Sequence, residues 1–163
     1  MSSKSLILPL AEFRAALPPA GRLMALDVGT KTIGVAVSDT TRMVASGVET
    51  VHRTKFTADA EALARLAATH QAVGIVIGLP VNLDGSNGPR VQSTRSFASN
   101  LAPKLGLPVL LWDERLSTVA AERALLEADT SRERRKEVID KVAAVIILQG
   151  LLERLRELGK SEA

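Results

Sequence analysis

Residues Ile33 to Ser38 read Ile-Gly-Val-Ala-Val-Ser, the pattern of a β-strand with two unlike faces. Alternate side chains of a strand point to opposite faces, so Ile33, Val35 and Val37 form one branched apolar face, while Gly34, Ala36 and Ser38 leave the other nearly bare. The apolar face needs a core, and the bare face lets a helix or a ligand approach the sheet closely. Apolar runs flank this strand on both sides, Arg22 to Val28 before it and Met43 to Val51 after it. Short turns between strands of this kind produce an antiparallel meander.

The pattern then changes. Ala58 to Ala68 is an alanine-rich helix, Val73 to Gly78 a continuously apolar strand, and Val91 to Leu105 a second helix. Pro108 to Trp112 reads as a fifth strand, Val119 to Glu127 as a helix, and Val138 to Leu158 as a long C-terminal helix. Right-handed crossovers place strands four and five parallel to strand one in the same sheet. The expected fold is therefore α/β, with a mixed five-stranded sheet (three antiparallel strands, then two parallel) and helices on both faces. Residues 1–21 are expected to be an N-terminal extension, with a short helix from Ala11 to Leu17 stopped by Pro18-Pro19. Residues 22–158 would form one domain and 159–163 a tail.

Composition narrows the chemistry. Hydrophobic residues make up 46% of the 163, but aromatics only 2%, so the core is aliphatic and little is left for a base-stacking platform. There is no cysteine, which excludes disulfides, thiolate zinc sites and a cysteine nucleophile. The run Leu6-Ile7-Leu8 is short and ends at Pro9, unlike a signal peptide, and no stretch reaches the roughly 20 apolar residues of a membrane span. A soluble cytoplasmic protein is expected.

Three acids stand at the ends of apolar runs. Asp27 closes the first strand, Glu114 follows Val109-Leu110-Leu111-Trp112-Asp113, and Asp140 opens Lys141-Val142-Ala143-Ala144-Val145-Ile146-Ile147-Leu148. Asp27 and Glu114 fall at carboxyl ends of parallel strands, where α/β sheets bind ligands. Three carboxylates gathered there would suit a hard divalent cation such as Mg2+ or Mn2+. Each also has a plainer reading. Asp27 is an ordinary turn residue ahead of Gly29. Glu114 could be a surface ion-pair partner before a helix, and Asp140 a first-turn acid complementing the helix dipole. Alternation allows only one of Asp113 and Glu114 to face the site.

Net charge is +3, with Arg132, Arg134, Arg135 and Lys136 close together just ahead of Asp140. Such a cluster can hold a phosphate backbone, or it can be a solvated connection with local ion pairs. The loop from Gly78 to Pro89 has glycines and amides that could cradle phosphate, but it is not a Walker loop, and Gly29 belongs to no dinucleotide fingerprint. His52 and His70 stand alone.

The stretches Ala25-Leu26-Asp27-Val28-Gly29-Thr30-Lys31-Thr32-Ile33-Gly34-Val35-Ala36, Ile77 to Gly85, Asp113-Glu114-Arg115-Leu116-Ser117-Thr118 and Asp140 to Gln149 together resemble the YqgF family. That family comprises pre-16S ribosomal RNA nucleases and Holliday-junction-resolvase-like proteins with an RNase H-like fold. The resemblance spans residues 22 to about 150 and implies a catalytic, metal-binding triad of Asp27, Glu114 and Asp140. Thr32 departs mildly, since Arg or Ser often follows Thr-Lys in the family.

The resemblance implies a metal-dependent endonuclease maturing pre-16S ribosomal RNA, with Mg2+ or Mn2+ as cofactor. Lys31, Asn82, Arg115 and the Arg132, Arg134, Arg135, Lys136 cluster would contact nucleic acid. The partners expected are pre-ribosomal RNA ahead of branched DNA, with association with ribosomal particles, no membrane, and a monomer or homodimer. Two other classes compete: a nucleic-acid-binding ribosome-assembly module with little turnover, or a resolvase acting on branched DNA. A nucleotide hydrolase ranks below these. Asp27-Val28-Gly29-Thr30 also resembles the first phosphate loop of actin-like ATPases, but those enzymes need two such domains.

Overall fold

In the computed structural model the described residues are 6–82, 84–116, 118, 122 and 132–161, with side chains from residue 139 onward in the last segment. They comprise α1 (Leu10–Ala16), β1 (Arg22–Val28), β2 (Thr32–Ser38), β3 (Ala45–His52), α2 (Phe56–Thr69), β4 (Ala72–Leu79), α3 (Pro89–Leu105), β5 (Val109–Asp113) and α4 (Arg132–Ser161). A short 3-10 turn, Glu114–Leu116, follows β5.

The five strands form one sheet in the order β3-β2-β1-β4-β5. β1 and β2, and β2 and β3, pair antiparallel. β1 and β4, and β4 and β5, pair parallel. The meander and the two parallel additions expected from sequence are both present.

The period-2 pattern sorts the core into two layers. Met24, Leu26, Val28, Ile33, Val35, Val37, Ile75 and Ile77 pack with Leu63 of α2 and Phe97 and Leu101 of α3. The opposite parity, Leu23, Ala25, Ala36, Val76, Leu110 and Trp112, packs with Phe13 of α1 and with Ala143, Ala144, Ile147, Leu148 and Leu151 of α4. Helices thus cover both faces, and small residues line the α4 side of β2 as anticipated. The closest approach is at Gly34, where a Cβ would lie 2.0 Å from the main-chain oxygen of Asp140.

Two expectations shift. The segment ahead of Arg22 is woven into the fold from Leu6 onward. Ile7 bridges Val109 in parallel, Leu8 N–H donates to the Val109 carbonyl at 2.8 Å, and Phe13 is fully buried. Sequence marked the segment as separate because its apolar residues, Leu6, Ile7, Leu8, Leu10 and Phe13, are too few to carry a period. Leu6 to Leu8 cover the otherwise open edge of β5, and Phe13 packs into the α4-side core. The C-terminal helix begins at Arg132, six residues earlier than its apolar pattern, because a charged first turn carries no hydrophobic signal. Apart from Glu122, the helix expected from Val119 to Glu127 lies outside the described residues.

Candidate active site

Strand parity puts the three acids on one face. Asp27 continues the Leu23, Ala25 series on β1, which faces α4. Its partner across the antiparallel pair is Gly34, and directly opposed residues share a face. Because Gly34 has no side chain, the main chain of Asp140 rests on β2 at that point. The Asp140 carboxylate turns toward the β1–β2 turn, its Oδ2 lying 3.1 Å from where a Gly29 Cβ would be. There it accepts a hydrogen bond from the Thr32 hydroxyl.

Glu114 reaches the same face from the other side. Trp112 on β5 faces α4, so Glu114, two residues on, follows it. Its Cγ lies 3.4 Å from a hypothetical Gly78 Cβ, on the strand that separates it from β1. Asp113 takes the other parity and is bound to Arg115, with Oδ2 2.6 Å from a terminal guanidinium nitrogen and Oδ1 2.9 Å from the Arg115 N–H. Only Glu114 of the two therefore enters the α4 face.

Asp27, Glu114 and Asp140 are 2%, 7% and 9% exposed, so all three acids are buried. Burying a carboxylate without compensation is costly, and each of the three makes polar interactions within the protein. The donor set is three carboxylates, all oxygen, which fits a hard divalent cation. Among the described residues no three His, Asp or Glu side chains are drawn into a tight metal cage. They share a face and an end of the sheet, with the Ile147 side chain of α4 packed over Gly78, 2.4 Å from where its Cβ would be.

The residues expected to hold nucleic acid divide into three groups. Lys31 is exposed on the β1–β2 turn. Arg115 sits at the correct end, but its guanidinium is held by Asp113, which raises its pKa and lowers that of Asp113 below the usual carboxylate range. Asn82 is exposed, but its amide donates to Ser86 Oγ at 3.0 Å and braces its own loop. Ser86 in turn donates from its hydroxyl and N–H to Asp84, holding that carboxyl low. The side chains of Arg132, Arg134, Arg135 and Lys136 lie outside the described residues; only their helical backbone is placed.

Two arginines at this end were missed from sequence. Arg53, just after β3, donates to the Gly29 carbonyl at 2.6 Å. Arg90, in the first turn of α3, lies 3.4 Å from the Val28 carbonyl. Extending the antiparallel register Thr32↔His52 by one residue would have placed Arg53 beside Lys31. No such signal existed for Arg90, whose position depends on the path of the preceding loop.

A mixed sheet of order 3-2-1-4-5 with helices on both faces is the RNase H-like fold. The protein is similar to RuvC of Thermus thermophilus bound to a Holliday junction substrate, with a TM-score of 0.52 and 11% identity over 83% of this chain and 96% of that one. At that identity the likeness shows the fold. The family follows from sequence: the chain belongs to the RuvX family, described as Holliday junction resolvase, whose model matches residues 21–154. This is the family recognised above as YqgF. A Cereibacter sphaeroides relative is 64% identical over 151 residues, covering 93% of this chain and 94% of its own. A Paracoccus denitrificans relative is 63% identical over 150 residues, covering 92% and 95%. Both carry the name "Putative pre-16S rRNA nuclease".

Proposed function

We propose that this protein is a metal-dependent endonuclease that hydrolyses phosphodiester bonds during maturation of pre-16S ribosomal RNA in the bacterial cytoplasm. The observation that carries this reading is three buried acids on one face: Asp27 and Glu114 at the carboxyl ends of β1 and β5, and Asp140 brought over β2 by α4. The names of relatives above 60% identity supply the substrate class. No helix among the described residues is long and apolar enough to cross a membrane.

In this reading Asp27, Glu114 and Asp140 hold Mg2+ or Mn2+, which when bound acidifies the attacking water and stabilises the leaving oxygen. The remaining work belongs to the chain. Thr32 orients the Asp140 carboxylate through its hydroxyl. Lys31, on the β1–β2 turn, and Arg90, in the first turn of α3, stand at the site's rim, where cations can steady the phosphates flanking the scissile bond. The Arg132–Lys136 cluster, on the helix that carries Asp140, extends that contact along the backbone. Packing of α4 on the sheet keeps bulk water from the buried side of the acids.

A second reading, resolution of branched DNA, has the family's description in its favour. One experiment separates the two. Purified protein is given precursor 16S RNA and four-way DNA junctions, with Mn2+ or with chelator, beside an Asp27→Asn control. Mn2+-dependent cleavage of the RNA, lost in the control, is expected. Cleavage of the junction alone would make it a resolvase, and binding of RNA without cleavage would make it an assembly module.

A further inference from the structure

The β1–β2 turn is held from outside the sheet by one residue, through its main chain and its side chain. Arg53 donates its main-chain N–H to the Lys31 carbonyl at 2.8 Å and a guanidinium N–H to the Gly29 carbonyl at 2.6 Å. The carbonyls on both sides of Thr30 are therefore fixed by the same residue. The guanidinium is itself immobilised. Its Nε lies 3.7 Å from Asp59 Oδ2, and its central carbon lies 5.2 Å from the centre of the Phe97 ring. Phe97 meets Phe56 edge to face at 5.6 Å. Asp59 is 2% exposed, and its Oδ1 accepts the Thr54 N–H at 3.0 Å.

The inner side of the turn leads to the acids. Gly29 N–H donates to the Thr32 carbonyl at 2.8 Å, and the Thr32 hydroxyl donates to Asp140 Oδ2. A continuous set of contacts thus runs from the α2–α3 layer on one face, around the end of the sheet, to the carboxylate that α4 presents on the other.

We propose that Arg53 is a positioning residue for the divalent-ion site: by clamping the Gly29–Lys31 turn it fixes the Thr32 hydroxyl that orients Asp140. The inference rests on the metal-dependent reading above. Arginine suits the task because a planar guanidinium can donate to a carbonyl, pair with a carboxylate and stack on a ring at once, whereas a lysine ammonium cannot. Partners that orient a ligating carboxylate commonly set metal affinity by about 10–100-fold. A plainer role for Arg53 would be as a cation touching substrate phosphate, since its side chain is 26% exposed.

Mn2+ binding, read without nucleic acid from loss of the free-ion paramagnetic resonance signal, separates these roles. Wild type, Arg53→Lys, Arg53→Gln and Thr32→Val are compared, with thermal unfolding followed alongside. RNA binding is measured separately in chelator. We expect both Arg53 variants and Thr32→Val to bind Mn2+ about tenfold more weakly, while metal-free RNA binding stays at the wild-type level. The double variant Arg53→Gln/Thr32→Val should be little weaker than either single, because both break the same chain of contacts. If Arg53→Gln does not fold, Phe97→Leu, which removes the ring and keeps an apolar side chain, should show a smaller loss in the same direction. Wild-type Mn2+ affinity in the Arg53 variants would overturn the inference and leave the metal reading intact. So would RNA binding that falls in Arg53→Gln and is restored in Arg53→Lys. A wild-type protein that binds no Mn2+ would remove the metal reading and this inference together.

Discussion

The main chain of Asp140 crosses β2 over Gly34, so closely that a Cβ on Gly34 would sit 2.0 Å from the Asp140 carbonyl oxygen. Gly34 is also the register partner of Asp27. One bare residue therefore brings together two acids that are far apart in sequence.

Gly34→Ala should damage the fold and the site together. The atom it meets is backbone inside a helix, which cannot rotate aside as a side-chain end could. Overpacking typically costs about 1–3 kcal/mol, and this contact should fall at or above the upper end. Urea unfolding gives the stability loss. A variant as stable as wild type would mean that α4 can shift away from β2 without penalty.

Asp27→Asn and Asp140→Asn should each lower cleavage by roughly a hundredfold or more, the scale of a few kcal/mol of lost transition-state stabilisation. Neither should lower thermal stability, since removing one charge from a set of facing carboxylates relieves repulsion. Asp113→Asn should cost far less activity, because Asp113 faces away and binds Arg115. Single-turnover cleavage rates with melting curves on the same preparations decide this. Equal losses in all three variants would contradict the assignment by face.

Acid should expose the Asp113–Arg115 pair. The guanidinium hydrogen bond holds Asp113 below its ordinary value of 3.8. A carboxyl with a lower pKa folded than unfolded contributes stability that is complete above the ordinary value, and that is lost as pH falls through the lowered one. Asp113→Asn should therefore be less stable than wild type near neutral pH, and the gap should close below the ordinary value. Denaturation midpoints across the acid range measure it. A gap independent of pH would show that the pair contributes through packing and not through charge.

Neutralising two of Arg132, Arg134, Arg135 and Lys136 should weaken RNA binding by similar factors across sequences. The logarithmic salt slope should become shallower by up to roughly 0.7–0.9 per lost phosphate contact. Filter binding at several salt concentrations reads this directly. An unchanged slope would mean that the cluster is a solvated connection and that the substrate path lies elsewhere.

The alternation from Ile33 to Ser38, the unbroken apolar run of β4 and the helix periods were enough to specify a mixed sheet with helices packed against it. Those are local patterns, and burial acts on them residue by residue. Sequence also singled out Asp27, Glu114 and Asp140, because a charge at the end of an apolar run is conspicuous wherever it falls. It could not say which of Asp113 and Glu114 turns inward, because that depends on the parity with which β5 docks beside β4. Nor could it see that Thr32 bonds Asp140, or that Arg53 braces the turn between them. Leu6 to Phe13 showed no period, yet Phe13 is wholly buried.

Local side-chain pattern thus determined the elements and the candidate acids of this protein. The tertiary structure alone decided which residues support those acids. Residues more than a hundred positions apart, such as Thr32 and Asp140, meet only after β1, β2 and α4 have packed. A contact of that kind depends on strand register and on helix approach across a glycine, and neither is encoded in the spacing of any one segment.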